Sequence, residues 1–199
     1  MFTKTAIALF ALGAVLFSTT ASAQFAPRTF YVGGNVGSSH AQRWCMGAGS
    51  ASCDDTKAGF KILGGYQLDE TFAVEIGYAR LGKLTARFPT GDTDEAKVSA
   101  LEASIVAAWP LARRFALFGR MGAYYGRVKE TTSFAGSGSQ TNGDLTFGVG
   151  LRYDIMPKLA LRAEWQRYLD MGGENVGLGA GLGDNSSVDL LSVGVLWRF

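Results

Sequence analysis

Seven ionisable residues interrupt otherwise apolar stretches: Lys61, Glu75, Glu102, Arg120, Arg152, Arg162 and Glu164. Groups of these types can act as general acids and bases or can neutralise one another as buried ion pairs. Catalysis on a weak nucleophile needs more, because a base must stand beside the group that loses its proton. The one histidine, His40, follows Ser38 and Ser39 and shares a polar stretch with Asp54 and Asp55. No His-x-Ser pattern accompanies it, and a solitary loop histidine is ordinarily a solvated residue. The reading is therefore of a protein that is not an enzyme and has no catalytic residue. Cys45 and Cys53 stand close together in WCMGAGSASC. In an oxidising compartment such a pair suits a disulfide better than two free thiols. A zinc site would need two further ligands, so neither a metal nor another cofactor is implied.

The elements that must position these side chains have a period of two. Alternating runs occupy residues 29–38, 57–67, 71–81, 97–109, from about 114 onward, 144–154, 158–168 and 190–199. In the last, Leu191, Val193, Val195, Trp197 and Phe199 point one way, and Ser192, Gly194, Leu196 and Arg198 the other. The 27 glycines come with only four prolines and a 47% hydrophobic content, too apolar for a disordered chain. A formal charge of +2 is too small to suggest nucleic acid.

The first residues read as an export signal. Lys4 precedes the apolar stretch AIALFALGAVLF, and ASA at Ala21 to Ala23 offers a small-residue cleavage site. A membrane anchor would need about 20 apolar residues. Residues 1–23 are thus expected to be a cleaved signal peptide and residues 24–199 a single mature domain.

Each alternating run is about as long as a tilted strand needs to cross a hydrocarbon layer. Short connectors, LDE, PLAR and IMPK, alternate with long polar ones over residues 39–56, 82–96, 129–143 and 169–187. Secreted β-sandwiches and lipocalins also alternate, but they turn their polar face outward. Here the apolar face is continuous, and Phe30, Tyr66, Phe72, Trp109, Phe115, Tyr153, Trp197 and Phe199 fall at a common height on it. An aromatic girdle at a membrane interface has this form. The fold expected is all-β, an eight-stranded antiparallel up-and-down transmembrane β-barrel in the outer membrane of a Gram-negative bacterium. Its lumen would then hold Asn35, Gln67, Ser104, Thr146, Gln166 and the seven ionisable residues. Eight strands leave room only for side chains, so these charges are expected to form a salt-bridged plug.

The segments FYVGGNVG, GFKILGGYQL, FAVEIGYARLG, LFGRMGAYYGR, GVGLRYDI, LALRAEWQRY and LWRF together resemble the transmembrane domain of the outer membrane protein A family. The resemblance runs over residues 29–199 and leaves no segment for the periplasmic domain that many members carry, as in porin-like and opacity-type relatives. It implies that Trp197 and Phe199 resemble the signal read by the outer-membrane barrel assembly machinery. The family's gate-like lumen network is matched at Glu75 and Arg162. It differs at Arg152, where an acid is implied, and at Val106, where a lysine is implied, which points to passive closure.

The outward loops, with GAGSAS, FAGSGSQTNG and GLGAGLGDNSS, suit contact with host or phage surface ligands or serve as spacers. Arg80, Lys83, Arg127 and Arg167 fall near the outer rim, where they could meet lipopolysaccharide phosphates or merely snorkel among outer-membrane lipid. The function expected is envelope integrity and surface contact, with a narrow low-conductance pore as the alternative and a lipid A-modifying enzyme the weakest reading.

Overall fold

Period-two alternation makes each strand a ribbon with two different faces, and the computed structural model shows how these ribbons close. It describes residues 28–42, 52–87, 93–132, 136–171 and 187–199. The strands are β1 (Phe30–Ala41), β2 (Ser52–Asp54), β3 (Thr56–Gln67), β4 (Phe72–Arg87), β5 (Thr93–Pro110), β6 (Phe115–Thr132), β7 (Gly136–Met156), β8 (Leu159–Tyr168) and β9 (Val188–Arg198). They pair in the order β4-β3-β1-β9-β8-β7-β6-β5, and β4 then pairs with β5. Every pairing is antiparallel, so the eight long strands form a closed barrel without an edge. The short β2 pairs with residues 85–87 at the far end of β4.

Tight turns gather at one end of the barrel. In the turn between β3 and β4, the Asp69 carboxylate accepts hydrogen bonds from the backbone N–H groups of Thr71 and Phe72, both at 2.7 Å. This Asx arrangement satisfies donors that the ladder leaves open. The opposite, connector end carries strand extensions that alternation does not reveal. β5 and β6 have 18 residues and β7 has 21, against about 9–11 needed to cross a bilayer. Beyond the hydrocarbon no face has to be apolar, so polar segments such as GSGSQTN can continue the backbone ladder with β6. In the sequence most of these extensions, and β2, fall within the long polar connectors and read as loops.

The outward face is apolar along the membrane-crossing part: Ile62, Ile76, Ile105, Met121, Val149 and Val193 are among its exposed side chains. Phe30 packs against Tyr66 and Phe115 against Tyr153 with tilted rings, each pair with centroids 4.6 Å apart, near the turn end. The interior has three layers where alternation alone suggests one polar lining. Toward the turn end Tyr31, Leu63, Ala73, Val106, Ala108, Ala116, Phe118, Ala160 and Leu196 form a buried apolar cluster. Toward the connector end a second cluster includes Leu81, Val98, Tyr124, Val128, Tyr168, Met171 and Leu190. The charged layer lies between them.

Candidate functional site

Six of the seven ionisable residues singled out in the sequence meet in that middle layer, supplied by five strands. Lys61 comes from β3, Glu75 from β4, Glu102 from β5, Arg120 from β6, and Arg162 and Glu164 from β8. An inward Cβ at every second position aims them at the barrel axis, and a lumen one side chain wide makes them converge. Lys61 Nζ donates to Glu164 Oε2 at 3.0 Å and to Gln166 Oε1 at 2.6 Å, with Glu102 Oε1 at 3.6 Å. Arg120 reaches Glu164 Oε1 at 2.9 Å through Nη1, and Glu102 Oε1 and Ser104 Oγ at 2.8 Å each through Nη2. Arg162 Nη1 donates to Glu75 Oε1 at 2.6 Å, and its Nε lies 3.2 Å from Glu164 Oε2.

Neutral side chains complete the network. The Tyr31 hydroxyl donates to Glu75 at 2.7 Å and the Tyr168 hydroxyl to Glu102 at 2.6 Å. Gln166 Nε2 bridges Glu102 Oε2 and Thr146 Oγ1, both at 2.8 Å. Both apolar layers therefore have a tyrosine rooted in the charged one. The three cations match three carboxylates, and none of the six side chains is more than 3% exposed. Below them, a cavity of about 20 Å³ between Tyr31, Glu75, Phe118 and Arg162 has room for roughly one water.

Arg152 does not join this group. It stands nearer the turn end, with its Nε 3.5 Å from Asp154 Oδ1, the atom that Arg198 Nη2 also approaches at 2.6 Å. Asp154 is the acid that sequence reasoning missed, although alternation puts it on the same inward face as Arg152; it is the last residue in register before the shift at Asp154/Met156. Val106 belongs to the apolar layer on the turn side. Phe118 was also missed: its ring lies 4.1 Å beneath the Arg162 guanidinium and forms part of the seal. A Cβ on Gly150 would strike that ring, so glycine there makes room for it.

His40 is half exposed on the connector end of β1. Its Nδ1 lies 3.1 Å from Thr56 Oγ1 and 3.5 Å from Asp55. Ser39 turns to the other face and donates to the carbonyl oxygens of Lys57 and Leu81, so it is not paired with the imidazole. Trp197 and Phe199 face outward at the turn end, and the Phe199 N–H donates to the Phe30 carbonyl at 3.1 Å. Cys45 lies outside the described residues, as do residues 1–23 and, within the long connectors, residues 43–51, 88–92, 133–135 and 172–186.

Comparison with known proteins agrees with this geometry. Residues 26–199 match the model of the OmpA-like transmembrane domain. Outer membrane protein A of Salmonella typhi is 28% identical over 202 residues, which is 98% of this chain and 55% of the relative. The chain thus spans about half the length of the curated relatives it matches. Among solved structures, Neisserial surface protein A is similar with a TM-score of 0.61 and 18% identity, over 85% of this chain and 97% of that one. Ail, the attachment invasion locus protein of Yersinia pestis, solved with the heparin analogue sucrose octasulfate, has a TM-score of 0.56 and 16% identity, over 87% and 99%.

Proposed function

Since the chain belongs to the OmpA-like transmembrane-domain family and is a barrel of the Gram-negative outer membrane, we propose that it acts as a closed structural barrel. In this reading it supports envelope integrity, offers its outer end for surface contact and performs no catalysis. The observation that carries it is the neutral ion network between two apolar layers. Small ions passing through would have to break desolvated, mutually hydrogen-bonded pairs and then cross packed hydrocarbon on either side.

Residues 1–23 act in this proposal as a cleaved export signal, and residues 24–199 remain as the mature barrel. A disulfide between Cys45 and Cys53 would close a loop at the outer end. Trp197 and Phe199 would present their aromatic side chains to the barrel assembly machinery. Lipopolysaccharide, and host or phage surface molecules reached through the connectors, are the partners that suit the outer end.

Planar-bilayer recording of purified protein tests closure against the narrow-pore alternative. Silence above the protein-free baseline is expected. Steady openings by the wild-type protein would overturn the closed reading.

A further inference from the structure

The outer surface of β4, β5 and β6 at the connector end carries a charge pattern that neither the lumen nor the apolar belt accounts for. Lys83 lies opposite Lys97, and Lys97 opposite Lys129. One step toward the turn end, Arg80 lies opposite Ser99, and Ser99 opposite Arg127. Five exposed cations thus form two adjacent rows across three strands and line a depression of about 540 Å³. Residues directly opposite in an antiparallel pair have Cβ atoms about 4.5–5.5 Å apart, and like charges there repel.

A backbone device creates this alignment. Three positions separate Arg80 from Lys83, which would put them on opposite faces of a regular strand. The register shift between them places one extra residue in β4, and Gly82 adopts a φ of +93° there. The bulge returns Lys83 to the outward face. A Cβ on Gly82 would lie 2.6 Å from that of Lys57, so the position has no space for a side chain.

Among the described side chains only one acid meets the array: Glu95, 2.5 Å from Lys83 Nζ. Arg167, at the same end on β8, is a useful contrast. Asp189 holds it through two hydrogen bonds at 2.7 and 2.8 Å, so that cation is already matched by the protein. Apart from Lys83, the cations of the array have no such acid among the described side chains, and the array sits immediately above the lipid-facing belt. Its next row toward the turn end is Tyr78, Leu101 and Tyr125, and further down come Ile76, Ile105 and Met121. At about 3.3 Å per residue, negative charge at the array lies within about 10 Å of surface suited to acyl chains.

We propose that Arg80, Lys83, Lys97, Arg127 and Lys129 form a binding site for the phosphorylated headgroup of an outer-leaflet glycolipid, with its acyl chains on the apolar rows beneath. The site rests on the membrane orientation given under Proposed function and names the partner of that outer surface. A phosphate set between two rows of cations accepts charge-assisted hydrogen bonds from both and relieves the repulsion within them. The adjoining hydrocarbon surface favours a lipid over a soluble polyanion, which would use the charges and leave the belt uncovered.

The test is titration of the full-length protein in detergent micelles with diphosphoryl lipid A and with its dephosphorylated form, followed by native mass spectrometry. Each cation removed should weaken binding about fivefold, so Lys97→Gln/Arg127→Gln/Lys129→Gln should lose about 100-fold. Dephosphorylated lipid A should bind wild type as weakly as the intact lipid binds the triple variant. Arg113→Gln/Arg114→Gln, at the turn between β5 and β6, should bind like wild type. Should the triple variant fail to give a heat-modifiable band, the single Lys97→Gln, with its expected fivefold loss, carries the test.

Binding unchanged in a heat-modifiable triple variant, or indifferent to the phosphates, would overturn the site. So would competition by soluble heparin as strong as that by lipid A. Such results would leave the closed-barrel reading intact, since that is decided by bilayer recordings of the wild-type protein.

Discussion

Replacing Arg120 by methionine should reveal what the charged layer contributes. Arg120 stands between Glu164, Glu102 and Glu75, at 2.9, 2.8 and 3.5 Å, and is shielded from solvent. Methionine keeps much of the volume but leaves three carboxylates facing two cations. Removing one partner from a buried pair costs about 3–5 kcal/mol. With a urea dependence of about 2 kcal/mol per molar, the unfolding midpoint should fall by about 2 M. The assay is equilibrium unfolding in lipid vesicles, followed by tryptophan fluorescence and by the loss of the heat-modifiable band. A second variant, Arg120→Met/Glu164→Gln, returns the layer to two cations and two acids and should recover at least half of the loss. Arg167→Ala provides the comparison: its pair with Asp189 is partly exposed and is worth about 0.2–1 kcal/mol. If Arg120→Met lowered stability no more than Arg167→Ala, or if the double variant showed simple addition of two losses, the network would not be the coupled unit described above.

Phe118→Ala should lower stability by about 3–5 kcal/mol, as expected for a buried aromatic, yet remain silent in planar bilayers because the ion layer still blocks the lumen. Conduction by this single variant would contradict the layered closure. His40→Ala should leave the mass profile of lipid A in the host membrane unchanged; a lost acyl modification would revive the catalytic reading. Phe199→Ala should slow assembly, seen as accumulation of unfolded precursor on unboiled gels, while the barrel that does form keeps near-wild-type urea stability. Equal assembly rates would confine Phe199 to the aromatic girdle.

The residues differ in how much of their role could be read in advance. Lys61 and Ile62 illustrate the legible part. Neighbours in a strand must face opposite ways, and a chain whose longer apolar face has no polar cover can only turn it toward lipid. That logic placed Glu75, Glu102, Arg120, Arg162 and Glu164 inside and Ile76, Ile105 and Met121 outside, as the structure has them. It failed for Leu63, Phe118 and Leu196, inward residues whose apolar character builds the layer on the turn side. The binary rule has no depth axis, so it cannot separate a charged layer from an apolar one stacked on it.

Alternation, abundant glycine with few prolines and the unequal connectors determined the strand number, the inward and outward faces and the membrane as solvent, because all three follow from local geometry and transfer energy. The tertiary structure alone decided that Arg120 meets Glu102 and Glu164 while Arg152 is set apart with Asp154, and that a bulge at Gly82 brings Lys83 into line with Lys97 and Lys129. Those contacts join residues far apart in the chain, and they depend on the register and stagger with which the sheet closes. No local stretch of sequence contains that quantity.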